Sequence, residues 1–518
     1  MIVYLKLGGY IMNIVELLTS TTSRLPNQPV IYFRRTPITY KELQDKVYKV
    51  AAGLKNQGVE KGTHVALMMT NRPEYIITYF AILANGGTVV PINPTFKEQE
   101  VTYIVNDSES EFLIIEDASK PVVESAMDQF KTIKTIINYS ETVDERFLSW
   151  HELDTSASIS EIVPLHESDV AQIIYTSGTT GNPKGAMITH GNLNWMAITA
   201  AVYNQFVPSD RVLCVLPLFH AYAKLQGFLA PIAHGCSIYL EERFHPVETL
   251  KAIAENEITI FLGVPTMYAF FAQVPHLVEQ LDFSKLRTAG SGGASLPAEL
   301  LHKTNEWLGV DISEGYGLTE STVMLMTTHR SLPKKVNSVG MPLPGIDLKI
   351  INPEGNEVAL HEVGEIIFRG PNMMQGYYKK PEETANTIID GWLHTGDLAY
   401  RDEDGYHFIV DRKKDIIIRG GFNIYPREIE ELLYQHPAVV ECSVIGRPDP
   451  VFGEKTVAYV VTKDPELTEE AIQNYCKEKL AEYKVPDYIS FIEEIPKSGT
   501  GKILKTALKD LDKNVQPN

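Results

Sequence analysis

The sequence predicts an α/β protein: a large N-terminal domain of α/β subdomains plus a β-rich subdomain, followed by a small α+β C-terminal domain. Three observations predict it. From residue 35 to about 330, helical and strand-like runs alternate, the pattern of largely parallel sheets. Between about 335 and 411 the helical period gives way to short apolar runs separated by turns. After Asp411, strands and helices resume for about a hundred residues, enough for a second core.

One unit of the first region shows the logic. Pro73 can open a helix because the N–H it lacks is not needed there; Ile76, Phe80, Leu83 and Ala84 form an apolar stripe, and Gly86-Gly87 close it before a strand at Thr88 to Ile92. Similar units recur at Val247 to Val264, which ends in the apolar strand Ile258 to Val264, and at Pro297 to Ser313. In the second region Asp347 to Ile351, Gly364 to Arg369 and Tyr406 to Val410 read as strands, with Pro353-Glu354-Gly355 as a turn. DRKKD, Asp411 to Asp415, then sets a knot of alternating charge between two strand-like runs. A hinge is expected there, dividing the chain into residues 1–411 and 412–518. Pro426 opens a helix with Glu428, Glu430 and Glu431 where carboxylates complement the helix dipole, and with Ile429, Leu432 and Leu433 on one face. Strands at Val439 to Ile445 and Thr456 to Thr462, a helix from about Thr468 to Tyr483 and a strand at Tyr488 to Phe491 complete the small domain.

Composition bounds the partners. The 66 acidic and 47 basic residues give a net charge of −19, which disfavours nucleic acid or an anionic membrane as a partner for the whole surface. Any anionic ligand must meet local positive charge. Cys214, Cys236, Cys442 and Cys476 form no C-x-x-C pair, so neither a zinc site nor a disulfide framework is indicated, and a reducing cytoplasm fits. The opening MIVYLKLGGYIM is apolar but too short to span a bilayer and lacks the marks of a signal peptide. It reads as a frayed tail, or as residue from a start upstream of Met12. No other stretch reaches transmembrane length; oligomeric state is not disclosed, and a homodimer stays open.

The densest chemical signal is YTSGTTGNPKGAMITH, Tyr175 to His190. Four hydroxyls, Thr176, Ser177, Thr179 and Thr180, alternate with Gly178, Gly181 and Gly185, and Lys184 supplies a cation. Glycines let a backbone approach a ligand, while N–H groups and hydroxyls offer donors to several phosphate oxygens at once. A strand from Val170 to Tyr175 leads in, and Leu193, Met196, Ala197, Ala200 and Ala201 repeat at helical spacing behind, so the loop is expected to join a strand to a helix. It is not a Walker loop, because Pro183 and Ala186 stand where the second glycine would have to be. A flexible surface turn is the plainer alternative.

Six more stretches are too polar or glycine-rich for simple packing: LPLFHAYA (Leu216 to Ala223), AGSGGASLP (Ala289 to Pro297), EGYGLTES (Glu314 to Ser321), GWLHTGDLA (Gly391 to Ala399), DRKKDIIIRGGFNIYPREIEE (Asp411 to Glu431) and PKSGTGKILK (Pro496 to Lys505). With the phosphate loop they resemble, in order and from about residue 13 to 510, the motif set of adenylate-forming enzymes: acyl-CoA synthetases, luciferases and peptide-synthetase adenylation domains. Bacterial fatty-acid–CoA ligases are the nearest likeness.

The resemblance implies ATP-dependent activation of a carboxylate with release of pyrophosphate, then transfer of the acyl group to the CoA thiol with release of AMP. It also implies that the small domain is mobile, rotating about Lys414. Lys502 would be the adenylation lysine, contacting carboxylate and bridging oxygens, since two anions must be neutralised as they approach. Thr319 and Glu320 would touch the α-phosphate, Glu320 holding Mg2+, a hard cation that takes oxygen ligands. Thr176, Ser177, Gly178, Thr179, Thr180 and Lys184 would cradle phosphates. Gly292, Gly293, Glu314, Gly315 and Tyr316 would form the adenine side, and Asp397 and Arg412 would take the ribose hydroxyls. His220 would stand between acyl and thiol sites, and Gly420 and Gly421 would leave a tunnel for the pantetheine arm. Plainer alternatives remain: a solvated Lys502, a structural Asp397–Arg412 ion pair, a helix-capping Glu320, a core His220.

The acyl wall is expected at Tyr222, Gln226, Gly292, Gly293 and Gly315, leaving room for a chain; Phe219 to Tyr222 lacks the aspartate that would hold an amino-acid ammonium. A medium- or long-chain fatty acid is the first expectation and an aromatic acid the second. Lys224 is expected to point to solvent; facing inward, it would favour a dicarboxylic acid. Delivery to a carrier protein, or nucleotide binding without turnover, are the other readings.

Overall fold

The computed structural model describes residues 14–154, 157–176, 182–497 and 503–515. Among them the strands form four sheets. The first runs Gly376–Tyr377, Lys184–Thr189, Val170–Thr176, Thr88–Pro91, His64–Met68, Phe112–Glu116, Thr135–Tyr139, Leu148–Ser149. The second runs Met341–Pro342, Met326–Thr327, Ile312–Tyr316, Thr288–Ser291, Ile260–Gly263, Arg211–Cys214, Ser237–Leu240, Pro29–Phe33, Thr36–Thr39. Both are parallel in their middles; the first is antiparallel only at its Gly376–Tyr377 end, the second at both ends. Their central strands are apolar on both faces, as covered parallel strands must be.

The helix Pro73–Ala84 is buried along its whole length except Glu74. A helix apolar all round belongs inside, so the single stripe read from its sequence understates how deeply it packs. Tyr79 and Phe80 meet Phe228 edge to face, tying this helix to residues that precede the second sheet's strand Ser237–Leu240.

The glycine-rich stretch does not lead into a helix as expected. Val170–Thr176 pairs antiparallel with Lys184–Thr189, Thr176 opposite Lys184, so the stretch connects two strands of a hairpin. The helix His190–Tyr203 starts only after the second strand, capped by Thr189, whose hydroxyl accepts the Asn192 N–H. The second strand is fixed on its other side by Gly376–Tyr377, almost 190 residues on, a pairing with no local signature.

The β-rich subdomain is antiparallel: Asp347–Ile351, Gly364–Arg369, Trp392–Arg401 and Ile388–Ile389, with His407–Arg412 beside Trp392–Arg401. In the small domain the strands Val439–Asp449 and Gly453–Thr462 form a longer hairpin than the sequence suggested. Pro448, which reads as a turn residue, is accommodated because its strand lies at the sheet's edge. The next helix, Glu469–Lys477, is shorter than expected; a separate turn of 3-10 helix follows at Glu482–Lys484.

A short segment, Pro371 to Tyr377, laces the two large sheets together. The Asn372 amide donates to the carbonyls of Ser321 (2.9 Å) and Met324 (3.1 Å), and the Thr322 hydroxyl donates to the Asn372 carbonyl at 2.7 Å. From the other side, the Asn192 amide donates to the carbonyls of Pro371 (2.6 Å) and Met373 (3.0 Å). Asn372 is wholly buried. Asn372→Ala leaves two buried carbonyls without a donor, at a cost of about 1–3 kcal/mol. The thermal midpoint is expected to fall with the far-UV spectrum unchanged; an unchanged midpoint would show that the 318–324 loop is held by other means.

Candidate active site

The strand Ile312–Tyr316 and the 3-10 turn Thr319–Ser321 carry Glu314, Gly315, Tyr316, Thr319 and Glu320 in one continuous stretch. The turn is tight: a Cβ on Gly317 would lie 1.9 Å from the Val323 carbonyl oxygen, so only glycine lets the two backbones approach. Residues expected to serve adenine and phosphate therefore leave a single strand end in order.

At one end, the Tyr316 hydroxyl donates to Asp397 Oδ2 at 2.5 Å, and Arg412 Nε lies 3.4 Å from Asp397 Oδ1. Asp397 and Arg412 face each other across the antiparallel pair Trp392–Arg401 and His407–Arg412. Burial first, and Asp397 next, hold the Tyr316 phenol protonated well above its usual range, which keeps it a donor. The ion pair does not use up the guanidinium, which remains partly exposed. At the other end, the Tyr377 hydroxyl donates to Glu320 Oε1 at 2.9 Å, and the Lys184 ammonium lies 5.3 Å from the centre of the Tyr377 ring. Tyr377 thus joins the hairpin cation to the expected metal carboxylate.

Glu314 faces the protein rather than open space. Its Oε2 accepts the Leu296 N–H at 3.1 Å, and burial pushes its carboxyl up to about 7, opposed by the Leu296 N–H and then by Arg427. It anchors the Gly292–Pro297 loop. Tyr222 stands against that loop: a Cβ on Gly292 would lie 3.3 Å from its ring. Gln226 is held by the Asn204 amide at 3.3 Å and points its own amide at Met324 Sδ. His220 caps the helix Ala221–Lys224, its Nδ1 accepting the Tyr222 N–H at 3.3 Å. The Thr176 hydroxyl reaches the Lys184 carbonyl at 3.5 Å. Ser177, Gly178, Thr179, Thr180 and Lys502 lie outside the described residues, as does the N-terminal tail.

Gly420 and Gly421 stand apart from this cluster. They form the two-residue turn between Ile417–Arg419 and Phe422–Ile424, with φ of 58° and 87°, the doubly left-handed turn that glycine serves best. The nearest atom to a Cβ on Gly420 belongs to Phe452 of the same domain, and a Cβ on Gly421 would meet nothing within 4 Å. Burial and then Arg412 lower the pKa of Lys414. Just before it, the Asp411 carboxylate accepts the Arg427 N–H at 3.0 Å, fixing the start of the helix Pro426–Tyr434 against the large domain.

One expectation is overturned. Lys224 does not face solvent: it is 1% exposed, because its helix packs between the two sheets, and burial pulls its pKa down to about 7. Sequence reasoning also missed Tyr377, Asn372 and Asn192. The stretch GPNMMQGYY has neither helical period nor strand alternation, and that lack of pattern was its only signal.

The fold is that of an adenylate-forming enzyme. The sequence pattern of the AMP-binding enzyme family matches residues 18–378, and that of the AMP-binding enzyme C-terminal domain matches residues 428–502; the chain belongs to this family. A long-chain-fatty-acid–CoA ligase of Bacillus subtilis (strain 168) is 37% identical over 95% of this chain and 93% of its own length. A feruloyl-CoA synthase of Amycolatopsis sp is also 37% identical, over 93% of this chain and 95% of its own. Among solved structures, the anthranilate CoA ligase AuaEII in complex with anthranoyl-AMP superposes with a TM-score of 0.90 at 30% identity, covering 96% of this chain and 97% of that one. The expected family and fold class agree with these findings.

Tyr377→Phe removes a hydrogen bond to a carboxylate, worth about 1.5–3 kcal/mol. The first half-reaction is expected to slow roughly tenfold or more and to need more Mg2+; an unchanged Mg2+ titration would separate Tyr377 from the role of Glu320. A second outcome concerns Lys224. Between about 7 and its ordinary value of 10.5 the unfolded chain binds a proton that the folded chain does not, so stability rises with pH across that window. Lys224→Met is therefore expected to melt higher than the parent below pH 7, the gap closing toward pH 10.5. A gap independent of pH would mean that the amine is not the source of the cost.

Proposed function

We propose that this AMP-forming acyl-CoA synthetase activates a medium- or long-chain fatty acid, using Lys502 and Glu320 for adenylation and the Gly420-Gly421 loop for the thiol. The observation that carries the reading is the pairing of two clusters on one strand end: Tyr316–Asp397–Arg412 for a ribose, and Lys184–Tyr377–Glu320 for phosphates. In between, Thr319 would donate to the α-phosphate. The fatty-acid–CoA ligase relative supports the acid class. The feruloyl-CoA and anthranilate relatives favour a second reading, an aromatic acid, against Tyr222 and Gly292.

The residues fit a magnesium ion held mainly by its substrate. Among the described residues no group of three or more His, Cys, Asp or Glu could cage a metal. Glu320, half-buried and oriented by Tyr377, is the one-carboxylate kind of site that Mg2+ occupies together with phosphate oxygens. When bound, the ion would offset phosphate charge. The chain's own part is to orient: Tyr377 fixes Glu320, Arg412 and Tyr316 fix Asp397, and Leu296 is fixed by Glu314. Attack by the thiol then depends on position against a reactive adenylate more than on a strong base.

Domains divided near residue 411, with rotation about Lys414, would present Lys502 for the first step and Gly420-Gly421 for the second. No helix of the described residues is long and apolar enough to cross a membrane, and the four cysteines are free and buried, which suits a reducing cytoplasm.

Lys502→Ala is expected to abolish pyrophosphate release, by on the order of 10²-fold to 10³-fold, while a supplied acyl-adenylate still reacts with CoA. Equal loss in both half-reactions would make the lysine structural and remove the assigned role.

A further inference from the structure

Lys224 belongs to an arrangement that the reaction above does not use. Its Nζ is buried and has no hydrogen-bond partner among the described residues; the Tyr79 ring, 5.8 Å away, is its cationic contact. A buried ammonium with no counter-charge is costly, and a methionine or leucine would fill the same space without that cost. The chain keeps the cation nonetheless.

The surroundings point to a ligand. Lys224 lines a cavity of about 10 Å3, enough for one water, together with Gln172, Leu225, Thr319, Thr322 and Val323; among the described residues no acidic one lines it. Both walls are irregular. On one side the helix widens into a π turn at Leu225–Leu229, directly after Lys224. On the other, Thr322 and Val323 hold φ of 50° and 85°, a left-handed conformation that is costly for β-branched residues. π turns and strained residues cluster where a protein meets a ligand. The same loop borders the expected acyl wall, since the Gln226 amide points at Met324, the next residue.

Thr319, expected at the α-phosphate, lines the same cavity as Lys224 and Gln172. The cation therefore stands beside the place where the acid would be activated.

We propose that Lys224 receives a second carboxylate on the acid substrate, so that the pocket selects dicarboxylic acids over monocarboxylic acids of equal length. This rests on the acid–CoA ligase reading and narrows it. A far-end carboxylate gives the ammonium its counter-charge in a water-poor site. A methyl end leaves it unpaired, and sites built around a polar contact reject analogues that lack it far more strongly than apolar pockets reject a missing methylene.

The test uses the full chain with straight-chain mono- and dicarboxylic acids matched in length, and with aromatic acids, scored separately for pyrophosphate and CoA thioester. For the parent, kcat/KM is expected to favour the diacid at one or more lengths by at least about 100-fold. Lys224→Leu should reverse that preference while KM for ATP stays in place, and Lys224→Arg should retain it. Thermal midpoints of both variants establish that they fold. A parent that prefers the monoacid at every length, one active on aromatic monoacids alone, or a Lys224→Leu protein that loses both aliphatic series equally, would overturn the proposal and leave the ligase reading standing. No pyrophosphate with any acid would overturn the ligase reading and the proposal together.

Discussion

The site depends on one buried amide. Residues 318–324 carry Thr319 and Glu320, but the turn they form is short and strained, with two consecutive left-handed residues. Such a loop cannot hold its shape alone. Asn372 supplies the donors that two of its carbonyls lack, and the chain that carries Asn372 is pinned by Asn192 at the start of the helix behind the hairpin. Two sheets that share no strand are thereby given one geometry at the place where phosphate chemistry needs it. Tyr377 is the outcome: it belongs to the first sheet by backbone pairing and to the second sheet's site by its hydroxyl.

Polar groups in this interior divide by whether they are satisfied. Asp397 has Tyr316, Arg412 and the Thr395–Asp397 turn around it, and Glu314 has the Leu296 amide. Each is buried or half-buried and each has a partner, so the strain of placing it is small and its orientation is firm. Lys224 has none. Satisfied groups position what surrounds them, whereas an unsatisfied cation raises the free energy of the empty protein and lowers it only relative to a bound anion. That asymmetry distinguishes a residue that builds a site from one that selects its occupant.

Much of this was legible in the chain. Alternating helix and strand periods marked the two largely parallel sheets, the loss of helical period after residue 335 marked the antiparallel subdomain, and Pro73 and Pro426 sit where helices begin. The polar, glycine-rich stretches stood out because such residues are out of place in a core, and the family resemblance they carry then marked Tyr316, Glu320, Asp397 and Arg412. What was not legible depends on distance along the chain. The outer side of the strand Lys184–Thr189 is paired by Gly376–Tyr377, and Lys224 is buried because two sheets close over its helix; neither fact is present within ten residues of the position concerned. Asn372 and Tyr377 escaped for the same reason, since an asparagine and a tyrosine in an aperiodic stretch carry no local sign of what they will touch.

Gly420-Gly421 shows how far residue type can be taken. Glycine is suited here to a backbone reason, because both residues are left-handed in a two-residue hairpin turn. A passage for a thiol would also require glycine, and the two requirements are compatible: the turn that keeps side chains away from its tip is the same turn that could slip beside a narrow ligand. The surroundings bear on which surface the tip would meet. Ile418, Phe422, Val451 and Phe452 are exposed around it, an apolar rim on a domain whose other face is packed. Isolated apolar residues on a surface need no explanation, but four grouped about one glycine turn make that tip the part of the small domain least suited to water, and therefore the part with most to gain from lying against another surface.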